Sequence, residues 1–273
     1  MISAGPVSRS TQLRALAPAK KKVSRSTKRD PAQAKTIMVA YEKQIVRLFR
    51  TYRAAAVEIL TLARENEARA LEPTPIRIAW LVEELDMLAK EAILAPGEVV
   101  VTDSVKTGYR RGVLYAERAL ARIGITSRLG EGPADWRVLD VLRVRNLQAL
   151  KGVTAEMNKQ IVAALTEGIN KGEGVVKLAR RLVDRVDTIG ITRARSMAHT
   201  ETMYACNEGA KLRYSQHGIR QVEWLTAGHD NTCEKCAALN GKVFDIDKAP
   251  PIPAHPFCRC TLLPVIDDDP GGS

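Results

Sequence analysis

The segment C233-EKCAALNGKVFDIDKAPPIPAHPFCR-C260 decides how the chain is read. Its 28 residues hold four of the five cysteines and one of the four histidines. The pattern is Cys233-x-x-Cys236, then 18 residues, then His255-x-x-Cys258-x-Cys260. Two thiolates two residues apart reach one ion from a single turn, and a second group from a distant loop completes a tetrahedron. Pro250, Pro251, Pro253 and Pro256 stiffen the second loop and lower the entropy of placing its ligands. Five candidates compete for four places around one structural zinc ion: Cys233, Cys236 and Cys258, joined by His255 or Cys260, with His229 an outside candidate. A disulfide pair and free thiols are the competing readings. A closed four-ligand site has no open position for a substrate water, so zinc here does not by itself mean catalysis. Cys206 falls within a helical pattern and reads as a buried thiol.

Working outward, short strand patterns flank the cysteines: QVEWLTA before them, GKVFDI after the turn signal Asn240-Gly241, and CTLLPVI behind. Everything earlier is helical. The apolar residues are 45% of the chain but the aromatics only 4%, so the core is mostly Leu, Val, Ile and Ala and suits helix packing. Ile37, Tyr41, Ile45, Leu48, Tyr52, Ala55 and Ile59 form a stripe that extends to about Ala70. Asp30-Pro31 is its start signal. EPTP interrupts, a second helix covers about 76–94, APGE interrupts again, and a third covers about 100–123. GITSRLGEGPADW is the domain boundary. Beyond it, Thr154 begins a helix bearing Met157, Ile161, Leu165 and Ile169. NKGEG ends that helix, Val175–Val186 forms another, TIGIT breaks it, and a last helix runs from about Arg193 to Gln216.

The expected fold is mainly α: a helical array followed by a small C-terminal β subdomain resembling a zinc knuckle. The organisation is a disordered basic tail (1–30), a helical N-terminal region (31–125), a second domain (135–266) whose knuckle occupies about 220–266, and a polar tail (267–273).

Net charge is +11, and residues 1–29 supply +8 of it without one acid, leaving +3 for the other 244 residues. Lys20, Lys21, Lys22, Arg25, Lys28 and Arg29 form a candidate nucleic-acid-binding arm, since clustered cations replace phosphate counterions without reading sequence. A solvated tail is the plainer reading. No stretch approaches the ~20 apolar residues of a membrane span. No compact apolar segment follows the N-terminal charges, which argues against a secretory signal. A mitochondrial transit peptide shares that composition. A cytosolic setting, with reduced thiols, is preferred.

Glu201 sits in the apolar stripe of Ala194, Ala198, Ala205 and Leu212. A carboxylate there is costly unless paired. It either points to water from the stripe's edge or forms a structural ion pair with Arg259. His199-Thr-Glu201 followed by Cys233-x-x-Cys236 also echoes the zinc-deaminase signature. However, Thr232 replaces its proline, and His255, Cys258 and Cys260 would have no role.

HTETMYACNEGAKLR (199–213), TCEKCAALNGKVF (232–244) and PPIPAHPFCRCTLLPV (250–265) together resemble the phage minor head protein family, the head-morphogenesis domain of Mu F-like proteins, over about residues 140–266. TAEMNKQIVAALTEGINKGEGVVKLARRLVDRV (154–186) is similar to the family's preceding helices. Where the family has Arg, this chain has His199; Glu201 matches. The resemblance implies a non-enzymatic minor structural protein of a tailed-phage head. It would associate with the portal protein, act in capsid assembly with the major capsid or scaffold protein, and lie near packaged DNA. Its location would be the virion, at the capsid interior or portal vertex, and the host cytoplasm during assembly. The competing function is a zinc-dependent nucleic-acid-processing enzyme, a nuclease or a deaminase-like factor.

Overall fold

The computed structural model describes residues 21–22, 30–67, 74–126, 135–228 and 232–266, with the side chains of 21–22, 63–67 and 74–77 left aside. The elements are β1 (Lys21–Lys22), α1 (Lys35–Glu67), α2 (Thr74–Ala89), α3 (Ala95–Arg122), α4 (Trp136–Asn170), α5 (Val175–Arg185), α6 (Thr192–Gln216), β2 (Gln221–Leu225), α7 (Glu234–Leu239), β3 (Val243–Asp245) and β4 (Thr261–Ile266). The chain is mainly helical, with a small C-terminal antiparallel sheet, as the sequence pattern predicts.

Two predicted breaks are not breaks. Lys90–Leu94 forms a π-helical turn that carries α2 directly into α3, and Val186–Ile191 does the same between α5 and α6. Pro96 needs no loop because it falls in the first turn after the wide one, where a missing N–H costs little. Thr154 is not a helix start either. It is buried in the middle of α4, and its hydroxyl donates to the Leu150 carbonyl four residues back. The true cap of α4 is Asp135, whose carboxylate accepts from the Arg137 N–H. Asp30 does cap, but a turn intervenes before α1: its carboxylate accepts from the Ala34 and Lys35 N–H groups.

One core joins both halves of the chain. Tyr41, Phe49 and Tyr52 of α1, Val101 and Val105 of α3, Leu150, Met157 and Ile161 of α4, and Ala194 and Ala198 of α6 are buried in it. Two internal hydroxyls are satisfied across it: Tyr41 donates to Asn146 at 2.8 Å and Tyr52 to Asn158 at 3.0 Å. The tightest seam lies between α3 and α6. A Cβ on Gly112 would stand 1.9 Å from the Cys206 carbonyl oxygen, and one on Gly209 2.4 Å from that of Tyr109. Gly108-x-x-x-Gly112 on α3 faces Ala205-x-x-x-Gly209 on α6, so the two backbones touch.

The far ends of α3 and α6 carry the sheet. Tyr115, Ala119, Leu120, Ala210 and Tyr214 pack with Val222, Trp224, Leu262 and the buried cysteines in a second core. The strand order is β1-β4-β2-β3, with β2 pairing antiparallel to both β3 and β4. All three predicted strands are present. Lys21 and Lys22 extend the edge by pairing with Ile266 and Val265. This departs from the expectation of disorder throughout residues 1–30; most of that tail, like 267–273, lies outside the described residues. Among the described residues, no helix is long and apolar enough to cross a membrane.

Candidate metal centre

The cysteine segment folds as two arms over the sheet. The first is the short helix α7. Cys233 is its N-cap, and its sulfur accepts from the Cys236 N–H at 3.4 Å, so the turn itself aims both thiols the same way. The second arm is the proline-rich loop that brings back His255, Cys258 and Cys260. Its inner end is fixed to α6: Asn207 Nδ2 donates to the Cys260 carbonyl at 3.3 Å, and the Tyr214 hydroxyl to that of Leu262 at 3.2 Å.

All five predicted ligands meet. Cys233, Cys236 and His255 form one trio able to hold a metal ion, and Cys236, Cys258 and Cys260 a second, each with its donor atoms within 4.8 Å of one another. His255 Nε2 stands 3.3 Å from the Cys233 sulfur and 3.2 Å from that of Cys236, and the Cys236 and Cys258 sulfurs are 3.9 Å apart. Tetrahedral zinc bound at about 2.3 Å to sulfur and about 2.0 Å to nitrogen would have edges of roughly 3.5–3.8 Å. The measured separations bracket those values. His255 Nδ1 lies 2.7 Å from the Pro256 carbonyl. The Nδ1–H therefore donates to that oxygen, and the lone pair of Nε2 faces the thiols, the tautomer and orientation that metal-binding imidazoles adopt. The donor set and its supporting bond fit a metal ion.

The electrostatics agree. A hydrogen bond from the Cys260 thiol, with backbone bonds from Cys260 and Ala254, brings the Cys258 thiol down to about 5. Its partners move the other way. Burial pushes Cys236 up to about 12, and Cys260 is raised by its bond to Cys258. Of these three thiols, Cys258 is therefore the most acidic. All five cysteines are free thiols, with no disulfide among them.

The predicted Glu201–Arg259 ion pair is not formed. Glu201 is buried, with 8% of its side chain exposed, and its carboxylate is held by Arg145 of α4 at 2.9 and 3.3 Å. Arg259 turns instead to His199, its Nε–H donating to Nε2 at 3.4 Å. The reason is position: Glu201 lies on the side of α6 that meets α4, one turn or less from the residues facing the knuckle. Burial first, and then the Arg259 charge, lower the His199 imidazole to about 4, so it is neutral. Neither His199 nor Glu201 belongs to a metal-capable group among the described residues, so the deaminase-like juxtaposition is not assembled. His229 lies outside the described residues, as do Lys20, Arg25, Lys28 and Arg29. Cys206 is buried at the α3–α6 seam as an inert thiol, its acidity lowered by burial to a value of about 12.

No local pattern marks Arg145, which lies 56 residues before its partner. Asn207 and Tyr214, which tie the knuckle to α6, were equally unmarked. The facing small-residue pairs carried a readable signal in their four-residue spacing.

Against known proteins, the family described as Phage Mu protein F like protein matches residues 159–263. An uncharacterized protein of Methanocaldococcus jannaschii is 26% identical over 135 residues, which are 49% of this chain and 21% of that relative. The chain therefore spans about a fifth of that relative's length. No solved structure matches. The matched segment runs from the middle of α4 to the third residue of β4 and encloses α5, α6 and every cysteine. Through residues 159–263 the chain is thus similar to the family described as Phage Mu protein F like protein, the family its cysteine segment resembles.

Proposed function

We propose that this protein is a minor, non-enzymatic component of a tailed-phage head, attached at the portal vertex and acting in capsid assembly, with one zinc ion folding its knuckle. The observation that carries the reading is the family match over the segment that builds α6 and the cysteine centre. Supporting it is the shape of the site. Cys233, Cys236 and His255 form one trio and Cys236, Cys258 and Cys260 another, so a small shift of Cys258 towards the first trio would close a set of four, in keeping with a metal that holds structure. A segment of 28 residues that spans only a short helix and a proline-rich loop buries too little to hold itself, so metal-binding energy becomes folding energy.

The basic tail supports a place facing packaged DNA, through salt-sensitive phosphate contacts. The portal protein is the first partner proposed, and the major capsid or scaffold protein the second. The virion is the proposed location, with the host cytoplasm during assembly.

Co-expression with the portal protein of the same phage, followed by size-exclusion chromatography and native mass spectrometry, tests the reading. A complex of a few copies per portal ring supports it; separate elution at micromolar concentrations refutes the portal role. Zinc per chain on reduced protein tests the centre. One ion is expected, with little left in the Cys258→Ser/Cys260→Ser double variant. An ion retained by that variant would leave Cys233, Cys236 and His255 with an open fourth position, and the zinc-enzyme reading would then lead.

A further inference from the structure

The metal ligands form only the floor of a larger space. The cleft above them measures about 470 Å³ and is walled by Thr226, Thr232, Phe257 and Arg259. That is within the range of small-ligand sites and far beyond what one ion occupies. No acidic residue lines it among the described residues.

Phe257 is the residue that folding does not account for. It is 54% exposed, so its ring is not part of a core. Its φ is +60°, a left-handed backbone conformation that a bulky side chain adopts only at a cost and a glycine would adopt freely. The ring is nonetheless held in place: it packs on His199 with centroids 5.2 Å apart at 56°. Arg259, two residues on, lines the same cleft, spends one N–H on His199 and makes no ion pair among the described residues. The result is a fixed, solvent-facing aromatic ring beside a guanidinium that makes no carboxylate ion pair among the described residues.

We propose that this cleft binds single-stranded nucleic acid, with one base stacked on Phe257 and an adjoining phosphate held by Arg259. A stacking platform beside a cation is how such strands are held without sequence reading. A duplex hides its base faces and offers only phosphates, so the ring discriminates strand state. β4 leaves the cleft at Thr261 and after about 16 Å of extended strand pairs with the backbone of Lys21 and Lys22, two residues of the basic tail. The strand's backbone would thus run from Arg259 towards the tail. The inference rests on the metal-stiffened knuckle proposed above and on no contact with the portal.

The test uses the full chain, zinc-loaded and reduced. Fluorescence anisotropy is read with a labelled 15-nucleotide oligo(dT) and with a duplex of equal length, at two salt concentrations. Wild type is expected to bind the single strand more tightly. Phe257→Ala should weaken that binding by roughly 5- to 100-fold, the range one base–aromatic stack supplies, and leave duplex binding, zinc content and melting temperature unchanged. Phe257→Trp should restore it. Arg259→Gln should weaken binding and reduce the salt slope by about one. Lys21→Gln/Lys22→Gln should weaken both substrates alike. Equal affinity of wild type for single strand and duplex, or unchanged oligo(dT) binding by zinc-loaded Phe257→Ala, would overturn the proposal. So would zinc-loaded wild type that ignores oligo(dT), leaving the ring as a protein contact. Wild type without zinc would fail the knuckle reading instead.

Discussion

Replacing Gly112 by alanine tests the α3–α6 seam most sharply, because the two forces involved have opposite signs. In an ordinary helix interior the change is favourable by about 1 kcal/mol. At Gly112 the new Cβ would lie 1.9 Å from the Cys206 carbonyl oxygen, 2.7 Å from its carbon and 3.0 Å from the Ala210 nitrogen. These are backbone atoms, so no side chain can swing aside. To bring the oxygen to even 3.0 Å the helices must part locally by 1.1 Å. A gap near 1 Å forfeits up to half of each atom-pair attraction of ~0.15 kcal/mol, so a seam of roughly 50 pairs would lose about 3–4 kcal/mol. Subtracting the propensity gain leaves a net loss of about 2–3 kcal/mol, or roughly 5–10 °C in melting temperature at this chain length. Gly152 is the control: it lies at an exposed position of α4 with nothing within 4 Å of a Cβ, so Gly152→Ala should raise the midpoint by about 2–4 °C. Thermal melts followed by far-ultraviolet circular dichroism, at fixed zinc and reductant, read both. If Gly112→Ala melts at or above wild type, the close approach of α3 and α6 is wrong.

Chelation should release the knuckle before the helices: a zinc-specific chelator should red-shift the fluorescence of Trp224, which is fully buried beside the cysteines, while helical ellipticity changes little. A simultaneous loss of all helical signal would contradict two separable cores. Arg145→Ala should destabilise by about 1–2 kcal/mol, since it strands a buried carboxylate but removes a pair whose arginine is 46% exposed, whereas Arg259→Ala should leave Glu201 unaffected. Equal losses for both would restore Arg259 as the partner. The folded imidazole of His199 titrates near 4, below the ordinary 6.5, so the unfolded chain takes up the proton first. The stability attached to neutral His199 is full above pH 6.5 and is lost as pH falls towards 4. Urea melts of wild type and His199→Gln at pH 7 and pH 5 isolate it: the gap between the two proteins should narrow on acidification, and a constant gap would refute the assignment.

The helices and strands were legible because their apolar periods are regular and the strands are bracketed by Gly, Pro and Asn. The cysteine cluster was legible because ligand chemistry depends on residue type and spacing, which are local. Pairings across the fold were not. Nothing near Glu201 distinguishes Arg145 from Arg259, since the choice depends on which side of α6 meets α4. The breaks assigned to APGE and TIGIT failed for a different reason. Proline and glycine there are read as helix ends, yet one widened turn accommodates them while the hydrogen-bonded rod continues. Phe257 carried no local signal, because its left-handed backbone is set by the loop's closure onto α6.

The widened turns at Lys90–Leu94 and Val186–Ile191 have a consequence for how this architecture tolerates insertions and deletions. Each stores one residue beyond a regular helix. Deleting a residue there would keep the rod intact and rebuild an ordinary α-helix, so local secondary structure would raise no objection. Yet every position downstream would rotate by about 100° around the axis. Gly108 and Gly112, or Ala205 and Gly209, would leave the seam and larger side chains would enter it. A length change that a loop would absorb unnoticed would here misalign a whole helix. Natural variation in chain length should therefore be confined to the connections between rods, with none inside either widened turn.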